Sequence, residues 1–181
     1  MSRQKKVSKK GNARAWVVRA GIKGSAHEYF AKKQAIVLVE PGLGDLSRLE
    51  PSREAFYKAY RAIKPDETRT GTAGIGGKFF RFVHEMQVHD VVIYPVLHTG
   101  EVHIGRLVGR YVYRPSDREF PHQRRVEWIG AVAKDSLTVA AQYELGAART
   151  LFEYKRNLEE LLRKAKILER GTQSAGANRG R

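Results

Sequence analysis

The stretch VHIGRLVGRYVY, residues 102–113, decides the fold. Its β-branched and aromatic residues mark a strand, and Gly105 and Gly109 interrupt that strand where packing would favour a side chain. Isolated strand glycines mark bulges or sharp curvature, so this run belongs to a small closing barrel rather than a flat open sheet. Working outward, His98-Thr99-Gly100 makes a hairpin turn, and VVIYP (91–95) is the other arm of that hairpin. On the C-terminal side a polar loop (114–119) leads into another strand, RRVEWIGAVA (124–133).

The remaining elements fit around this curved core. AWVVRA (15–20), closed by Gly21, and AIVLV (35–39), stopped by Glu40-Pro41-Gly42, read as strands. Ser25 is the expected cap of a short helix to Lys33, and Ser52 caps a second helix to about Ile63. Pro65 and four glycines predict a mobile loop over 64–77, in which Gly76 and Gly77 open the next helix (78–88) with bare N–H groups that suit an anion. Ser136 caps a short helix, and a long one is expected over 146–170. Leu151, Tyr154, Leu158, Leu161, Ala165 and Leu168 repeat along it at alternating spacings of 3 and 4. Leu151 and Tyr154 are expected to pack on their own domain. Leu158, Leu161, Ala165 and Leu168 lie among charged residues and are candidates for self-association or for docking a partner subunit. The expected class is α+β: a curved β-barrel domain (15–145) flanked by helices, a long C-terminal helix (146–170), and disordered segments at 1–14 and 171–181.

A chain of 181 residues with 41% hydrophobic content builds one core. Its net charge of +15 attracts polyanions. Most of that charge lies at the ends: residues 1–14 carry six basic side chains and no acidic one, and 155–181 carry eight against three, leaving +4 for 15–154. The arms are expected to add non-specific, salt-sensitive affinity for nucleic acid. With no cysteine there is no disulfide framework and no thiolate metal site. No apolar run is long enough to span a membrane and none follows the basic arm as a secretory signal would need, so a cytoplasmic location is expected.

Signatures of catalysis are missing. GTAGIGGKF (71–79) resembles a phosphate loop, but Thr72 and Phe79 stand where that motif needs glycine and a magnesium-binding hydroxyl. His84 and His89 are spaced wrongly for a helical metal pair, and no nucleophile motif occurs. The expectation is a binding module, not an enzyme, with neither metal nor cofactor. What remains is aromatic rings interleaved with arginines, a pattern suited to stacking on bases.

Several segments together resemble a known family. WVVRAG (16–21), EYF (28–30), GDLS (44–47), FFRFVHEMQVHDVVIYP (79–95), IGRLVGRYVY (104–113) and FPHQRRVEWIG (120–130) occur in the order found in the EVE-like N-terminal module of Mrr-type and McrB-type restriction nucleases. That module is PUA-like. The resemblance implies a curved barrel with flanking helices, which reads a modified, flipped-out base in duplex DNA for a restriction or defence system. A nuclease activity would then sit on a separate domain or subunit. The alternative is an RNA-binding PUA-like protein. By position, the base pocket is expected among Trp16, Arg19, Gly21, Val39, Phe80, Tyr94 and Pro95. Trp16 and Val18 alternate with Val17 and Arg19, so one pair alone can face it. Phe80 and Val39-Glu40 stand where relatives usually carry tryptophan, which shrinks the expected aromatic cage. Lys23, Arg69, Lys78, Arg114, His122, Arg124 and Arg125 are the expected contacts to the nucleic-acid backbone.

Overall fold

A computed structural model describes residues 13–40 and 42–167. Seven strands form one mixed sheet: β1 (Ala15–Val18), β2 (Ala35–Leu38), β3 (Val91–Pro95), β4 (Glu101–Leu107), β5 (Val112–Tyr113), β6 (His122–Ala133) and β7 (Leu151–Glu153). Their order is β2-β6-β4-β3-β1-β7, with β5 also on β6. β1 runs parallel to β3, and every other pairing is antiparallel. The helices are α1 (His27–Lys32), α2 (Arg53–Ile63), α3 (Arg69–Phe80), α4 (Val139–Leu145) and α5 (Leu158–Lys164).

The sheet curls into a half-barrel because β6 serves two groups of strands. Its first residues pair with β2 and β5, and its remainder pairs with β4. The β4–β6 register shifts between Ile104 and Gly105. A Cβ on Gly105 would lie 2.6 Å from Val126 Cγ2 and 2.9 Å from the Glu127 carbonyl oxygen, so only glycine allows this close crossing. The curvature expected from the two glycines is present, but the single strand expected over 102–113 divides into β4 and β5. Both faces of the curl are covered. Trp16, Val18, Val92 and Tyr94 face a core shared with Phe30, Phe56, Phe79 and Phe82. The alternating residues Ala15, Val17, Val91 and Ile93 face a second core, closed by Leu137, Ala141, Leu145 and Leu161.

The helix expectations need correction: α1 has no side-chain cap from Ser25, and Thr138 rather than Ser136 caps α4. The loop expected over 64–77 is largely helix: α3 begins at Arg69, and Thr68 accepts the Gly71 N–H at 3.0 Å as its cap. Glycine costs about 1 kcal/mol in a helix interior, and tertiary packing offsets that cost here. A Cβ on Gly76 would lie 3.0 Å from Tyr57 Cα and N, so its absence lets α2 and α3 touch backbone to backbone. Gly76 and Gly77 therefore do not open a helix. α3 ends at Phe80 and passes into one π turn, Arg81–Glu85, rather than continuing to residue 88.

The long helix expected over 146–170 is replaced by strand β7 and the two-turn α5. β7 pairs with β1, which would otherwise be an open edge, and Arg14 seals the pair by donating to Glu153 at 2.6 and 3.0 Å. The Glu144 carboxylate then gathers the N–H groups of Lys155, Arg156 and Asn157, turning the chain into α5. Leu161 is buried in the second core, with Leu158 and Ala165 packed against it, so these three serve their own domain. Residues 146–167 thus extend the 15–145 domain. Leu168 and the segments 1–12 and 171–181 lie outside the described residues. Among the described residues, no helix is long and apolar enough to cross a membrane.

Candidate functional site

The π turn after α3 organises the surroundings of the site. A π turn leaves carbonyls pointing away from the ordinary helical ladder. Arg124 takes them up: its Nη1 donates to the Phe82 and Met86 carbonyls, both at 2.8 Å, while Nε and Nη2 donate to Gly109 O at 3.2 Å. Arg124 is 3% exposed, and burial pushes its guanidinium down to about 10. It is a fastener between helix and barrel, not a phosphate contact as expected. His122 is likewise interior. It shares a 2.9 Å hydrogen bond with the Tyr111 hydroxyl, and burial lowers its pKa to about 4, leaving a neutral ring.

The expected base pocket is dispersed. Trp16 is 1% exposed and donates from Nε1 to the buried Asp90 carboxylate at 2.8 Å. Tyr94 is 2% exposed, packs edge-on to Phe30, and meets His27 Nδ1 at 2.8 Å. Pro95 ends β3 beside it. Gly21, at φ 72°, and Val39 adjoin each other, since a Cβ on Gly21 would strike Ser25 and reach Val39 Cγ2 at 3.5 Å. Phe80 sits elsewhere, against Phe56 and His84 and beneath the Arg53 guanidinium. Trp16 and Tyr94 are closed off from solvent, so they share no solvent-open cavity with Phe80. Of the expected backbone contacts, Lys23, Arg69, Arg114 and Arg125 are exposed on separate elements, and Lys78 is half-buried.

Lys78 instead lines a cleft of about 400 Å³ between α3 and the 148–151 segment, together with Arg53, Arg81 and Arg149. No acidic residue lines it. Its floor is the bare backbone of Gly77: a Cβ there would lie 3.5 Å from Arg53 Nη1 and 3.8 Å from Arg81 Nη1. Arg53 spends its other terminal nitrogen, Nη2, on Glu85 and keeps Nη1 for the cleft. Burial first, and then repulsion from Arg53, lowers the pKa of the Arg81 guanidinium, with Glu85 opposing the shift and Arg149 adding to it. Among the described residues, Lys78, Arg81 and Arg149 have no carboxylate within 4.0 Å. Four cations share this cleft and one carboxylate, Glu85 behind Arg53, offsets only part of their charge, which makes a seat for an anion; the planar fork of arginine fits phosphate in particular.

The expected residue Arg19 acts here indirectly. It donates to the carbonyls of Leu145, Ala147 and Arg149 at 3.0, 2.9 and 3.2 Å, pinning the loop that presents Arg149. Arg53, Arg81 and Arg149 were not among the expected site residues. The four-residue spacing of Gly77 and Arg81, which stacks them on one helix face, was a readable signal; Arg149 had none.

Fold and site together define a small α+β module with a half-barrel body and a cationic, glycine-floored cleft. The chain belongs to the family described as a domain of unknown function (DUF8426), whose family model matches residues 16–154. The matched span runs from β1 through β7 and so includes every residue lining the cleft. No curated protein matches the chain.

Proposed function

We propose that this chain is a nucleic-acid-binding module, not an enzyme, and that the arginine cleft seats backbone phosphate. The observation that carries this reading is the convergence of Arg53 and Arg81 on the bare backbone of Gly77, with Arg149 opposite and no acidic residue in the lining. A single small anion would leave most of that charge uncompensated, whereas a polyanion places successive phosphates along it. The net charge of +15 supports the same ligand by raising encounter rates. The EVE-like resemblance makes DNA the first candidate, in the cytoplasm and within a restriction or defence system. Duplex carrying a modified base is its finer form, and RNA is the rival ligand.

The test is binding by fluorescence anisotropy across a salt series, with duplex DNA, duplex containing modified bases, and RNA. Replacing both Arg81 and Arg149 by glutamine should weaken binding at least about 10-fold and flatten the salt slope by about two, one for each lost phosphate contact. Unchanged affinity and slope would remove the cleft from the interface. Tighter binding of RNA at equal salt would favour the rival.

A further inference from the structure

The loop that carries Arg149 has a second flank. There it borders an apolar groove of about 930 Å³, walled by Val139, Tyr143, Ala147 and Phe152 and rimmed by Lys155 and Arg156. Groove and cleft meet at Ala148, which lines both. Tyr143 is 86% exposed and Val139, one helical turn before it, is 83% exposed. The opposite face of α4 is committed to the fold, with Ala141 and Leu145 buried. An aromatic ring presented to water beside cations is the arrangement on which unpaired bases stack.

Charge favours the same occupant. The groove's two acidic residues are already engaged: Glu144 holds the N–H groups of residues 155–157, and Glu153 is bound by Arg14 and by Lys155 at 3.1 Å. Lys155 is spent on Glu153, so what faces the groove is an apolar surface with the Arg156 guanidinium on its rim, meeting the seat for phosphate at Ala148. We infer that the groove receives an unpaired nucleobase, stacked on Tyr143, from the same strand whose phosphate lies in the arginine cleft. The inference rests on the phosphate reading of that cleft. It names the ligand more closely: a single-stranded segment, or an unpaired nucleotide next to a duplex.

The full chain is titrated with a single-stranded DNA oligonucleotide, and with the same strand bearing abasic sites, at fixed salt. Tyr143→Ala should weaken binding of the intact strand about 10-fold, whereas Tyr143→Phe should match the wild type. On the abasic strand the wild type and Tyr143→Ala should bind alike. Arg81→Gln should weaken binding to both strands to a similar extent. Because Tyr143 is exposed, an unchanged melting temperature checks that its variants fold. If Tyr143→Ala binds the intact strand as tightly as the wild type while Arg81→Gln weakens both, stacking is overturned and the cleft stands. If Arg81→Gln has no effect on strands that the wild type binds, the cleft reading fails and this inference fails with it. If the wild type binds neither strand, stacking of an unpaired base is overturned and the duplex form of the cleft reading stands. A drop in molecular mass for Tyr143→Ala in sedimentation, with intact-strand binding retained, would make the groove an interface between copies of the chain and overturn the stacking assignment.

Discussion

Arg124 and Arg81 are the same type of residue at the same π turn, Arg124 bonded to its carbonyls and Arg81 opening it, and the fold uses them in opposite ways. Arg124 is enclosed, and its donors are spent on three backbone carbonyls. Arg81 lies in an open cleft among other cations, where partial burial first, and then repulsion from Arg53, oppose its protonation. The first is an internal fastener whose charge the carbonyl dipoles satisfy. The second holds electrostatic free energy that an arriving anion releases. A basic residue's role therefore depends on where its donors already point, and a chain rich in arginine can hide a structural one among the binding ones.

The sharpest way to break this comparison is to exchange the effects. Arg124→Ala should lower unfolding free energy by roughly 3 kcal/mol, because buried carbonyls lose their donor. Urea denaturation measures it, and a loss below about 1 kcal/mol would place Arg124 with the surface arginines. Arg81→Gln, by contrast, should leave the urea midpoint nearly unchanged.

His122 extends the interior side of the comparison to pH. Its folded pKa of about 4 lies below the ordinary histidine value of 6.5, so the unfolded chain binds the proton first as pH falls. Stability should therefore decline between about pH 6.5 and 4, beyond the loss in His122→Gln, which cannot protonate there. Parallel stability profiles for the two proteins over that window would count against a buried neutral ring.

The smallest effect separates two adjacent glycines. Gly77→Ala should fold, since its new methyl meets the guanidiniums at ordinary contact distances, and should gain up to about 1 kcal/mol of helix propensity. It should also weaken nucleic-acid binding a few-fold by raising the cleft floor. Gly76→Ala should destabilise instead, because its methyl would press on the Tyr57 backbone at 3.0 Å. If both respond alike, the floor has no special role.

Much of the architecture was legible because strands announce themselves locally. The residues of β1, β2, β3 and β6 carry β-branched runs bounded by turns, and Gly105 marked the bulge that bends the sheet. Helix α3 was hidden, because Gly76 is selected by its contact with the Tyr57 backbone on α2, which no local window contains. β7 was read as helix because Leu151 and Tyr154 satisfy a 3–4 spacing equally well; pairing with β1, over a hundred residues away in the chain, decides otherwise. The candidate site was less legible than the fold. Trp16 and Tyr94 looked like a base cage and are core, while the cleft depends on three segments far apart in sequence.

β1 lies between β3 and β7, so a strand synthesised more than a hundred residues before β7 obtains its second neighbour only when residues 151–153 emerge. Until then its backbone N–H and carbonyl groups on that side stay unpaired, an open template for another strand. Such long-range closure slows folding, and it makes completion of the sheet coincide with delivery of the segment that carries Arg149. The nascent chain therefore completes its barrel and its cleft in the same late step, and a product cut short before residue 148 would have a sticky edge and a cleft open on one side.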